Sequence, residues 1–534
     1  MSLAALLVLS LPSPSDALAV ACGDPLTGIW EGRGQGAAPV PPEGFAFSLR
    51  LEQKGDDEAL ATLTMEDQTT DAVPAEYDAD SGELTFRCNL TGVVVDLELV
   101  LAGEELSGKA SGLGMSVTLS GKRTSRELPA LAPKPAPAAP RAPVDLATLG
   151  PDAWRADLAF LATELPRCHA NAYHALTKEQ WDERVRALDA RLATLGPAAS
   201  AVALAQLVAA VGDAHTELAL AGAPFERFFP LQITWFADGL FVTAVDERFE
   251  PALAARVRRI GRMSAEEATA AVRTVFASEN ESWPRAKVPQ KLAQPGLLAA
   301  LGVTASADSI PLVVAGPDGA DVSVTIDGSG SGKWLVAPDP ALVPPPTWQQ
   351  RTREAYWFTP LAGGRALYLA YNRCAEDPAR PMKPFMDGLF AALARPGVER
   401  LVIDLRHNSG GNSAVLSAFL PALAAQPHLA ASGALRVLIG TETYSSGMMN
   451  AYQLRDQAHA RLYGEPTGGK PNSYGELRSF ALPRSGLEVF HSTKYFRDVD
   501  GDPAAVEPDV AVALRSEDFF AGADPVLERA LAKD

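Results

Sequence analysis

The sequence predicts an α/β protein in which a small all-β domain and a helical region precede an α/β core. Three observations carry this. From Ala366 onward, short apolar strands alternate with helical stretches; residues 128–146 are a Pro/Ala-rich run; and residues 25–123 are dominated by period-two stretches broken at Gly, Asp and Asn. The 534 residues allow two or three domains. Hydrophobic residues at 47%, charged residues at 21% and a mean hydropathy of +0.01 exclude a polytopic membrane protein and a wholly disordered chain. No apolar run is long enough to span a bilayer. A net charge of −18 without a basic cluster gives nucleic acid no footprint, so it is not an expected partner.

The elements follow in order. Residues 1–21 read as a signal peptide: Leu3–Leu11 is apolar, a Pro/Ser break follows, and Ala19-Val20-Ala21 forms an Ala-x-Ala site, although no basic residue precedes Arg33. An exported protein, periplasmic, envelope-associated or secreted, is the expectation. Cys22, directly after small residues, is the alternative attachment point of a peripheral lipid anchor. Residues 22–127 read as an all-β barrel or sandwich, with Val93, Val95, Leu97 and Leu99 on one apolar face. Residues 128–146 form a linker whose prolines favour a semi-rigid extended spacer. Residues 147–230 are the helical region: Thr177 and Gln180 make a capping box, Trp181, Val185, Leu188, Leu192 and Leu195 follow at helical spacing, and Gly196-Pro197 ends the run. Residues 231–350 are a mixed α/β insert or degenerate PDZ-like region. Within it, Gly328–Lys333 is a turn and not a phosphate loop, its glycine spacing being one residue short. Residues 351–534 are the α/β core.

Three loops after strands carry candidate chemistry, since ligands collect at the carboxyl ends of strands in open α/β sheets. Asp404–Gly411 ends in paired glycines, which allow a tight turn and present N–H groups; an ordinary strand-to-helix turn is the other reading. Thr443–Gly447 sets Ser445 and Ser446 between a strand and a helix N-terminus, where a serine has unsatisfied amides beside it or simply caps the helix. It is not a GxSxG elbow. Gly464–Lys470 places Lys470 in a glycine-rich turn, where it serves as a base only if burial leaves it neutral. No HExxH or CxxC occurs, and Asp498-Val-Asp500-Gly-Asp502 lacks calcium-loop spacing, so no cofactor or metal is expected.

In this order, GDAHT (Gly212–Thr216), LVIDLRHNSGG (Leu401–Gly411), TYSSG (Thr443–Gly447) and GEPTGGK (Gly464–Lys470) resemble the S41 serine peptidases, the C-terminal processing peptidases and the tricorn core. VEPDV at Val506–Val510 is a closing piece. The resemblance implies a crotonase/ClpP-like core that hydrolyses peptide bonds through a serine acyl-enzyme, acting on peptides or unfolded protein; a homo-oligomer is compatible with it. Position by position, it implies Ser445 as nucleophile. Its base is His215, as in the tricorn branch, or Lys470, which follows Ser445 by 25 residues as in the processing branch. His215 is the preferred base because imidazole titrates near neutrality, whereas lysine would need a shift of several units. The oxyanion hole combines a backbone N–H of Gly410 or Gly411 with that of Ser446. Asp213 is a candidate to orient His215, His407 is a substrate-loop residue, and His491 and Lys494 are candidates to line the pocket. Met448 stands where the processing branch has glutamate. That departure motivates one alternative, a non-catalytic relative that binds peptides or an envelope partner; a serine esterase is another.

Overall fold

The computed structural model describes residues 24–532 apart from 37–43, 56, 66–67, 71, 91–92, 113–114, 130–143, 317, 427–428 and 430–432. The signal-like segment, Cys22 and most of the Pro/Ala run lie outside the described residues. One compact unit holds the described residues up to 129 with Glu376–Met386; the other holds those from 144 to Ala375 and from Asp387 onward.

The first unit is a closed barrel. Eight strands, Gly28–Gln35, Phe45–Gln53, Glu58–Met65, Val73–Asp78, Glu83–Leu90, Val93–Ala102, Glu105–Gly112 and Met115–Ser125, each pair antiparallel with the next, and the last returns to the first. Closure removes the edge strands that an open sheet would expose. Period-two alternation sends Trp30, Leu49, Leu51, Leu63, Phe86, Leu97, Leu99 and Leu119 into one core. Buried Arg123 lies 4.6 Å from the Trp30 ring centre and donates to the Thr27 carbonyl and to Glu104. The strands at 28–35, 73–78 and 105–112 are additions to the sequence reading; the first carries three glycines that read locally as turn.

The second unit opens with the helices Pro151–Cys168, Lys178–Leu192 and Pro197–Ala209. The Thr177/Gln180 capping box forms, and Trp181, Leu188 and Leu192 face the core. Two small antiparallel sheets follow: Leu231–Phe236, Gly239–Asp246 and Trp334–Val336; then Met263–Ser264, Val257–Ile260, Ser309–Ala315 and Asp321–Asp327. The Gly328–Lys333 turn closes on a carboxylate: the Gly332 N–H and Ser331 hydroxyl donate to Asp246.

The α/β core is a six-stranded sheet ordered Tyr356–Leu361, Ala366–Tyr371, Arg400–Asp404, Leu435–Ile439, Arg461–Gly464, Val510–Ala511. Only the first pairing is antiparallel. Ala366–Tyr371 and Leu435–Ile439 are buried at every position, as strands covered on both faces must be. A buried ionic network locks the loop after Asp404. Arg406 donates to Asp404 and Asp524, and Tyr368 donates to Asp404. A three-stranded sheet, Glu217–Leu218, Glu488–Phe496 and Ser473–Ala481, ties the chain after His215 to the C-terminal hairpin.

Candidate active site

The strand Leu435–Ile439 and the helix Ser446–Ala458 are joined by a loop that is held on both sides. The Gly440 N–H donates to the Thr443 hydroxyl, which donates to the Leu405 carbonyl. The Tyr444 N–H donates to the Asn408 carbonyl. That same carbonyl lies 2.3 Å from where a Cβ at Gly447 would be, so only glycine lets the first helical turn sit this close. Between these anchors Ser445 takes φ 48° and ψ −127°, a conformation that costs a non-glycine residue about 1–3 kcal/mol. It stands at the N-cap position yet makes no capping bond, and among the described residues its hydroxyl has no hydrogen-bond partner. Ser446 differs: its hydroxyl donates to the Gly411 carbonyl at 2.7 Å. The two serines, interchangeable in sequence, are thus separated by structure. One hydroxyl is committed and the other is not.

The glycine pair lies against this loop. At Gly410, with φ +114°, a Cβ would fall 2.8 Å from Ser445 Cβ and 3.1 Å from the Ser446 nitrogen. The Gly410 N–H, however, donates to the Asn408 side chain at 3.0 Å, while its carbonyl accepts from Cys374. Among the described residues the N–H groups of Gly411 and Ser446 have no acceptor. Of the candidate donors, those two are uncommitted.

His215 reaches the loop through Tyr444. The Tyr444 hydroxyl and His215 Nδ1 are 3.0 Å apart, and the phenol ring stacks on Trp283 at 3.9 Å. His215 Nε2 is buried without a partner among the described residues. Burial lowers the imidazole pKa below its ordinary 6.5, against the pull of the Asp213 carboxylate. Asp213 is fully buried and satisfied by other donors. It accepts from the His169 ring, the Thr216 and Ser492 hydroxyls and the His215 backbone N–H, while His215 Nδ1 is 3.9 Å away. Burial alone would raise its pKa; the His169 hydrogen bond first, then the nearby His215 ring and the Ser492 and Thr216 hydroxyls, bring it down to about 2. Asp213 therefore fixes the loop carrying His215 more directly than the ring itself.

Lys470 sits one residue past Gly469, whose Cβ position is 3.1 Å from both the Ser445 nitrogen and Met448 Cβ. Its ammonium pairs with Asp502 at 2.9 Å. Glu279 is brought to the same region. The neighbouring Asn280 amide donates to the Thr467 and Gly468 carbonyls, and Glu279 Oε2 is buried without a partner. Burial, reinforced by Asp213, raises the Glu279 pKa to about 8 although Lys470 opposes it.

The remaining candidates have partners of their own. His407 pairs with Glu442 at 3.1 Å, stacks on Trp348 and lines a cavity of about 440 Å³ whose walls do not include Ser445, His215 or Lys470. His491 is buried beside Phe480, and Lys494 is exposed over the Phe496 ring. Tyr444 as a partner of His215, His169 and Ser492 on Asp213, and buried Glu279 are contributions that sequence reasoning missed. Of these, only Tyr444 fell within a motif it singled out; Ser492 is the neighbour of the candidate His491. Among the described residues no group of three or more His, Cys, Asp or Glu side chains could hold a metal ion, and no helix is long and apolar enough to cross a membrane.

No family profile matches the chain, and no curated protein sequence matches it. Its structure is similar to that of mature CPAF complexed with lactacystin, at 12% identity and a TM-score of 0.47, over 71% of this chain and 98% of that one. It is also similar to the photosystem II D1 C-terminal processing protease (13% identity, TM-score 0.35, 69% and 96% covered). The tricorn protease matches at 10% identity and a TM-score of 0.33, over 91% of this chain and 45% of that one. At such identities and TM-scores, likeness assigns neither family nor activity.

Proposed function

We propose that this protein is a serine-type peptidase that hydrolyses peptide bonds through an acyl-enzyme on Ser445, with His215 as general base, on the scaffold of a crotonase/ClpP-like core. One observation carries the reading. Ser445 is held in a strained backbone conformation at a helix N-terminus, its hydroxyl is uncommitted, and the adjacent Tyr444 side chain grips the histidine that the motif resemblance pairs with it.

The cycle follows from these groups. Ser445 Oγ attacks the scissile carbonyl carbon while its proton passes to His215 Nε2. The resulting oxyanion is met by the N–H groups of Gly411 and Ser446, assisted by the positive end of the Ser446–Ala458 helix. Collapse breaks the C–N bond, and the Nε2 proton goes to the leaving amine. Water, deprotonated by the same nitrogen, then releases the acyl group. Lys470, ion-paired with Asp502, supplies positive charge beside the loop and is not the proton acceptor.

Mass spectrometry of an unbiased peptide library after incubation with the protein tests the reading. Peptide cleavage that vanishes in Ser445→Ala is the expected result. Ester turnover without peptide cleavage would turn the assignment to an esterase. Inactivity on both substrate classes across pH would favour a peptide-binding relative, the role Met448 suggests.

A further inference from the structure

We propose that the Tyr444 hydroxyl is the positioning partner of His215, accepting the Nδ1–H so that Nε2 is left as the free base for Ser445. This rests on the Ser445–His215 reading above. Three observations support it. The hydroxyl lies within hydrogen-bond distance of Nδ1, at 3.0 Å, whereas the nearer Asp213 oxygen is 3.9 Å away and already accepts the His215 backbone N–H; the Tyr474 backbone and Lys287 also act on the ring, the first favouring its charged form and the second opposing it. The Tyr444 ring cannot drift, because it is stacked on Trp283 at 3.9 Å and 12°, and its own backbone N–H is tied to Asn408. Finally, charge selects the tautomer. A lone pair on Nδ1 would point toward the ionised Asp213 carboxylate, whereas an N–H there is attracted to it. The Nδ1–H tautomer leaves Nε2 with its lone pair, and that atom is buried and unpartnered.

During acylation the serine proton moves to Nε2 as the Oγ–C bond forms. The ring becomes an imidazolium whose Nδ1–H donates to the Tyr444 oxygen. A neutral phenol, its pKa raised well above the ordinary value by burial, stays protonated throughout. Two residues consecutive in sequence, Tyr444 and Ser445, then hold both ends of one imidazole. The nucleophile and the orienter of its base cannot shift independently.

Tyr444→Phe removes the hydroxyl and keeps the ring on Trp283. Its acylation rate, read by burst titration with an activated acyl ester, should fall about ten- to a hundredfold, the range of one hydrogen bond to a charged group. KM should change little. The acid limb of the rate should move to lower pH, because the imidazolium has lost an acceptor. A Tyr444→Phe/His215→Gln double variant should acylate no more slowly than His215→Gln alone. Wild-type acylation and an unmoved acid limb in Tyr444→Phe, or losses that multiply in the double variant, would overturn the proposal. Should Tyr444→Phe fail to fold, ¹⁵N shifts of His215 in the wild type decide: an Nδ1–H tautomer supports the proposal and an Nε2–H tautomer overturns it. If wild-type Ser445 takes up no acyl group at all, the underlying peptidase reading has failed instead.

Discussion

Asp213 and Glu279 are two carboxyls at the loop that carries His215, driven in opposite directions by their surroundings. Asp213 is held ionised by four donors, and Glu279, with an unpartnered buried oxygen, is held neutral at pH 7. In the folded state Glu279 keeps its proton up to about pH 8, while an unfolded glutamate loses it near 4.5. The folded state thus binds more protons across that window, and the Glu279 contribution to stability declines as pH rises through it. Glu279→Gln, which cannot ionise, should raise the melting temperature at pH 8 and leave it nearly unchanged at pH 4; equal shifts at both pH values would refute the assignment. His215 moves the other way. Burial keeps it neutral below its ordinary 6.5, so the acid limb of kcat/KM should lie below that value. His215→Ala should cost about 10²–10⁴-fold in acylation, with a much smaller loss in Lys470→Ala, measured by active-site titration of both. The histidine and the serine were legible in sequence because each sits in a short Gly-rich motif. The carboxyl at 279 and the ring at 169 were not, because no local pattern marks a residue whose partners are distant in the chain.

At the scale of elements, the site is two loops pressed together, and their glycines are structural requirements. Gly410→Ala would drive a Cβ to 2.8 Å from Ser445 Cβ at φ +114°. Peptide turnover should be abolished, while circular dichroism stays that of the wild type; retained turnover would mean that the loops yield more easily than their hydrogen bonds suggest. The loop after Asp404 depends on Arg406, which neutralises two buried carboxylates. Arg406→Met should cost about 3–5 kcal/mol, the usual penalty for leaving buried charge unpaired, checked by urea titration. The DLRHNSGG run announced a turn with exposed amides, and the turn is there. The sequence could not announce that Asn408 would occupy the Gly410 N–H, because side-chain hydrogen bonds of that kind depend on the final loop geometry.

At the scale of the whole molecule, a β unit precedes the α/β core as the period-two stretches within residues 25–123 suggested, and that alternation located the stretches at Phe45–Glu52, Ala59–Met65, Glu83–Cys88, Val93–Leu99 and Met115–Leu119. What alternation could not give was closure. The pairing of Gly28–Gln35 with Met115–Ser125 spans the unit and leaves no local mark. Every candidate catalytic residue lies after the Pro/Ala run, so a chain beginning at residue 144 should still fold and cleave small peptides. Unchanged small-peptide rates with altered cleavage of large substrates would assign the barrel to recognition. A folded truncation that is inactive on small peptides would contradict the separation of roles.

The central claim is that Ser445 carries the acyl group. Intact-protein and peptide-mapping mass spectrometry after rapid acid quench with an activated peptide ester tests it directly. A single acyl adduct on Ser445, formed by the wild type and absent from Ser445→Ala, is the predicted result. An adduct on another residue, or peptide cleavage that persists in Ser445→Ala, would contradict it.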